Sequence, residues 1–144
     1  AYDGVYDLPL MFHSGDTSDR VEGLNYLNDV LGTDEADLRS RSPVYNVEHI
    51  KAALFLAHGG ADERAPMTHF TELTAALDKA GKPYEKLVKS KEEHGFYNEK
   101  NQAELWDKVA AFLDKTIGKG AVQVAAQPAA PVAAASTAAA PAGN

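Results

Sequence analysis

Cysteine is absent from this sequence, which removes disulfides, thiol catalysis and thiolate metal sites from consideration. Basic charge is scarce beside acidic charge: 14 Lys and Arg stand against 21 Asp and Glu, a formal net charge of −7. Without any Lys/Arg cluster, such a surface has no means of tracking phosphates, so nucleic acid is not an expected partner. Long hydrophobic runs are also lacking. None approaches the ~20 residues that a membrane-spanning helix needs. The opening "AYDGVYDLPL" has neither the basic start nor the apolar stretch of an export signal. No membrane partner is expected. The first residue is Ala1 rather than Met, as in a processed or excised piece.

What is present changes character after Gly118. From Lys119 to Asn144 the chain is mostly Ala, interrupted by Pro128, Pro131 and Pro141 and without an aromatic residue. Such a segment buries too little apolar surface to offset the entropy of ordering it. The expectation is a folded region over 1–118 and a disordered Ala/Pro-rich tail over 119–144.

Within the folded region, Leu24, Leu27 and Leu31 recur at spacings of three and four, predicting a short amphipathic helix ended near Gly32. A second short helix follows, capped by Thr33 or Asp34 and stopped by Pro43. "AALFLAHGG" is a continuous apolar run closed by glycines, the pattern of a parallel strand covered on both faces. Pro66 is placed to open a helix at its first position. Met67, Phe70, Leu73, Leu77 and Ala80 form that helix's inward stripe, and Gly81 ends it in a left-handed conformation. "PYEKLVKS" reads as a more polar strand near a sheet edge. In the last helix Leu105, Val109, Phe112 and Thr116, flanked by Trp106, Leu113 and Ile117, make a broad apolar face. Strand, helix, strand, helix over 53–117 is the alternation of an α/β fold with a parallel sheet.

Functional groups of open parallel sheets collect on loops at the carboxyl ends of the strands. Asp62 follows the first strand and His94 the second, so both project from one sheet edge. A carboxylate on one imidazole nitrogen fixes the tautomer and leaves the other nitrogen as a general base. Each residue also has a plainer reading: Asp62 as a turn residue bonding nearby peptide N–H groups, and His94 as an ordinary surface histidine. His13, His49 and His69 have weaker claims, and the "HGG" at His58 reads as structural. A metal site of His58, Asp62 and His94 lacks any recognised ligand spacing. No nucleophile is evident. The serines are Ser14, Ser18, Ser40, Ser42, Ser90 and Ser136, and none lies in a G-x-S-x-G turn between strand and helix.

Three features together resemble the prolyl oligopeptidase family of serine peptidases: "SP" followed by an Ile ahead of the strand, "HGGADERAP" beside the family's HG-x-x-D-x-x-V-P, and "EEHGF" beside its histidine loop. "GVYDLPLMF" is similar to the segment after the preceding strand, and the likeness runs from Tyr2 to Gly118. It implies the carboxyl-terminal portion of an α/β-hydrolase catalytic domain, with few parallel strands, flanking helices and an incomplete sheet. It further implies Asp62 as triad acid, His94 as general base, Gly59 and Gly60 permitting the tight turn, and cleavage of short peptides without metal or organic cofactor. Ala65 stands where the family usually has Val. The G-x-S-x-G turn, the upstream sheet and the propeller that usually accompanies this domain all precede the matched region. The chain is therefore expected to be inactive alone and to partner the missing amino-terminal part. The alternatives are a fragment of an esterase or dienelactone-type hydrolase, and a non-catalytic α/β assembly module.

Overall fold

A computed structural model describes residues 1–117, so the expected tail lies outside the described residues. Two helices come first, α1 (Val21–Leu31) and α2 (Glu35–Arg41), followed by β1 (Phe55–Gly59), α3 (Met67–Lys79), β2 (Glu85–Lys89) and α4 (Glu99–Thr116). Short 3₁₀ turns at Pro9–Phe12, Pro43–Tyr45 and Val47–His49 fill the connections, and the apolar periodicity gave no sign of them.

Local chemistry sets most boundaries. α1 stops at Gly32, and Asp34 caps α2 by accepting the Asp37 N–H at 2.7 Å. Ser42 follows α2 in an extended conformation, as a residue before proline must. Pro66 stands one place earlier than expected: its ψ of 152° makes it the cap, and Met67 is the first helical residue. Gly81 has the expected positive φ of 65°. Asn98 caps α4, its side chain accepting the Lys100 and Asn101 N–H groups.

β1 and β2 pair in parallel, with Phe55 opposite Glu85 and Gly59 opposite Lys89. On the other edge of β1 the first residues add a short third line of chain. Ala1 donates to Phe55 O, Ala57 N to Ala1 O, and Asp3 N to Ala57 O, at 2.7, 2.9 and 3.0 Å. β1 is thus flanked on both sides and buried throughout, whereas β2 buries only Leu87, as its charges foretold.

Successive β1 side chains point to opposite faces, and each face has its own core. Leu56 packs with Tyr6, Val47, Phe70, Leu73 and Leu77 on the α3 side. Phe55 and Ala57 pack with Leu87, Phe96 and Leu105 on the α4 side. The expected α3 stripe is buried at Phe70, Leu73 and Leu77, but Ala80 is exposed just past the helix end. On α4 only Leu105 is fully buried; Val109 and Phe112 are partly covered, while Trp106 and, just past the helix end, Ile117 are 61% and 72% exposed. The described sheet is narrower than the apolar face of the helix laid across it.

Candidate active site

Two loops leave the carboxyl ends of the paired strands: residues 60–66 after β1 and 90–98 after β2. They meet backbone to backbone, with Gly60 N donating to Lys89 O at 2.8 Å and Ala61 N to Glu92 O at 2.9 Å. This contact explains the glycines. A Cβ at Gly59 would stand 2.1 Å from Glu93 O, and one at Gly60 2.7 Å from Ser90 Cα. Neither glycine has positive φ. The tight turn that the resemblance assigned to them is present, Asp62 N donating to Gly59 O at 3.2 Å, but what requires glycine at both positions is the close approach of the neighbouring loop.

Asp62 is buried and its two oxygens have separate partners. Oδ1 accepts the Arg64 and Ala65 N–H groups at 2.8 and 2.9 Å, closing the turn before α3. Oδ2 lies 2.9 Å from His94 Nδ1. The plain reading of Asp62 as a turn residue therefore holds for one oxygen, and the other is left to meet the imidazole. An ionised carboxylate only accepts, so Nδ1 carries the shared proton and Nε2 is the nitrogen with a free lone pair. The His94 side chain is 46% exposed. It lines an open, polar cleft of about 320 Å³ together with Asp16, Ala61, Glu63, Arg64, Glu93 and Tyr97. Across this cleft Arg64 pairs with Asp16 at 3.0 Å, and the guanidinium holds the Asp16 carboxyl below its ordinary range.

Sequence reasoning passed over two carboxylates that build this site. Glu92 is buried and accepts from Tyr97 N, Asn98 N and Asn101 Nδ2, so it ties the histidine loop to the start of α4. The Asn101 amide, followed by these peptide N–H groups, holds its carboxyl below the usual value against the opposing effect of burial. Asp3 is also buried, and it accepts from Gly59 N and Gly95 N. Nothing in "KEEH" separates Glu92 from Glu93, and Asp3 is one of many acidic residues outside any motif. Only their burial and partners distinguish them.

His58 is fully buried and donates Nε2–H to Ala65 O at 2.8 Å, bracing the turn that carries Asp62. Its Nδ1 has no hydrogen-bond partner and lies 3.8 Å from Asp3 Oδ1. Asp3, His58 and Asp62 lie close enough to surround a cation. All four of their carboxylate oxygens already accept hydrogen bonds, however, which accounts for the cluster without one. The metal grouping weighed from sequence, His58 with Asp62 and His94, is not the one that assembles. His13, His49 and His69 stay apart from the cleft lining. Of the serines, Ser42 is buried, donating to Leu38 O and accepting from Leu8 N, while Ser40 and Ser18 bond local carbonyls. Among the described residues no serine hydroxyl bonds His94.

A parallel strand–helix–strand unit with helices on both faces, and an acid and a histidine meeting on consecutive strand-end loops, is the architecture of part of an α/β-hydrolase domain. Residues 1–120 match the model of the prolyl oligopeptidase family, and the chain belongs to that family. The fold is shared with solved peptidase structures. A puromycin-hydrolyzing peptidase of Mycobacterium tuberculosis is 23% identical with a TM-score of 0.73, over 81% of this chain and 18% of that one. The acylaminoacyl peptidase of Pyrococcus horikoshii is 20% identical with a TM-score of 0.70, over 81% and 19%. Dipeptidyl peptidase 4 of Porphyromonas gingivalis is 20% identical with a TM-score of 0.63, over 81% and 15%. The chain thus spans less than a fifth of the length of these three structures. No curated protein sequence matches it.

Proposed function

We propose that this chain supplies the acid and the histidine of a serine peptidase that acts on short peptides, with the nucleophile contributed by sequence outside residues 1–144. The observation that carries this reading is the 2.9 Å contact between buried Asp62 Oδ2 and His94 Nδ1 on a half-exposed ring. With Nδ1 committed to Asp62, Nε2 takes the proton of an incoming serine hydroxyl as it attacks the peptide carbonyl. It then delivers that proton to the leaving amine. Asp62 holds the ring in the tautomer this needs and stabilises the imidazolium formed in between. Oxyanion donors, like the serine, come from the rest of the catalytic domain. No step calls on a metal or organic cofactor.

The test is reconstitution. Mixed with a polypeptide carrying the preceding part of the catalytic domain, the chain should gain peptidase activity that neither piece has alone. In serine proteases of other folds, removing the histidine costs about 10⁶-fold in turnover, and replacing the acid by its amide about 10⁴-fold. His94→Ala and Asp62→Asn should fall in that order. Ester turnover without peptide turnover would move the parent to the esterases. A stable complex whose activity ignores both substitutions would make the chain an assembly module and overturn the proposal.

A further inference from the structure

Asp3 is 7% exposed and occupies a backbone conformation, φ +45°, that residues other than glycine rarely adopt. Asp tolerates this region better than most residues, but such a conformation persists only where the surroundings over-determine it. Here they do. The backbone of residues 1–3 is laddered onto β1 by Ala1 N to Phe55 O, Ala57 N to Ala1 O and Asp3 N to Ala57 O. The side chain then reaches the end of β1 and the histidine loop at once. Oδ1 accepts Gly59 N and Oδ2 accepts Gly95 N, both at 2.7 Å. These are short, charge-assisted bonds. Gly59 lies three residues before Asp62, and Gly95 directly follows His94. Beside them, the hydroxyl of Tyr2 accepts Phe96 N.

Each loop carries one half of the acid–histidine contact, and that contact tolerates little change in the distance between the loops. We infer that Asp3 is a positioning residue: its carboxylate clamps the strand end before Asp62 to the peptide after His94, and together with the Gly60–Lys89 and Ala61–Glu92 backbone bonds it sets the separation at which Asp62 meets His94. The inference rests on the reading of Asp62 and His94 given above. It adds to that reading a part for the first three residues, which no motif assigns. His58 Nδ1 faces the same carboxylate at 3.8 Å, too far to take either bond away.

The experiment uses the ¹⁵N-labelled full chain and compares it with Asp3→Asn, Asp3→Ala and Asp62→Asn. Two signals are read: the hydrogen-bonded Nδ1–H proton of His94, and amide exchange at Gly59, Gly95, Leu56 and Leu77. Asp3→Asn keeps the shape of the side chain but turns an amide N–H toward one of the two peptide donors. It should speed exchange at one glycine, and Asp3→Ala at both, by on the order of ten- to a hundredfold, as for a lost bond to a charged group. In both variants the His94 Nδ1–H signal should broaden away while Leu56 and Leu77 keep their protection. A role confined to stability would lower protection everywhere together. Survival of the His94 signal in Asp3→Asn overturns the inference, and that variant decides the matter should Asp3→Ala fail to fold. Asp62→Asn separates the two claims. If it abolishes the His94 signal and the Asp3 variants do not, only the role of Asp3 fails; if it too leaves the signal intact, the Asp62–His94 pairing fails.

Discussion

His69 on α3 is fully buried, its Nδ1 accepts the Tyr6 N–H at 3.5 Å, and its Nε2 has no partner. Burial is the largest influence on it and pushes its pKa below the ordinary 6.5; a smaller push the same way comes from His58, while Asp7 and Asp62 pull upward. The unfolded chain therefore binds this proton at higher pH than the folded one does. Between 6.5 and the lower folded value the unfolded state holds more protons, so stability rises with pH there and is lost as pH falls through 6.5. Urea unfolding at about pH 7.5 and about pH 5.5 should show the lower midpoint at the acid end, and His69→Gln should flatten the difference. Glu92 acts in a separate window. Its depressed carboxyl adds stability above the ordinary 4.5 that disappears only as pH falls further.

Among the elements, α3 and α4 hold to the sheet by different means. Leu77 on α3 is wholly buried against Leu56 and Phe70, so Leu77→Ala removes core contacts and leaves a void, at a cost of about 2–5 kcal/mol. α4 depends more on its start. Asn98 Oδ1 accepts Lys100 N and Asn101 N at 3.0 and 3.3 Å, and Asn98→Ala should cost about 1 kcal/mol. Chemical denaturation of the two variants checks the order; an Asn98→Ala loss matching Leu77→Ala would mean that α4 is held by its cap more than by its packing. Both helices were legible as periodic apolar stripes. How much of each stripe is covered was not, because that depends on the width of the sheet behind it.

Among the described residues β1 is the one strand with chain on both edges; residues 1–3 and β2 each have a partner there on one edge only. The outer strand β2 is blunted by Glu85, Lys86 and Lys89, whereas the line at residues 1–3 has no such protection beyond its shortness. With Trp106 and Leu113 also exposed on α4 and Ile117 just past its end, the chain should associate with itself. Sedimentation from micromolar to sub-millimolar concentration should show its average mass rising, and the polypeptide used for reconstitution should suppress that rise. A chain that stays monomeric throughout this range would show that these surfaces need no cover.

The sequence by itself determined the βαβα order, the stop signals at Gly32 and Gly81, the start of α2 to within Thr33 or Asp34, the two loops from which Asp62 and His94 project, and the family. These follow from local pattern, because periodicity, capping and a motif are written in neighbouring residues. Tertiary structure alone decided that one oxygen of Asp62 closes its own turn while the other meets His94. It also decided that the turn at Gly59 and Gly60 needs glycine because the neighbouring loop comes so close, and that Asp3 and Glu92 are buried acceptors among otherwise similar acids. The contacts of Asp3, the meeting of Asp62 with His94 and the crowding at the glycines depend on what a loop remote in sequence brings within reach, and neighbouring residues carry no record of that.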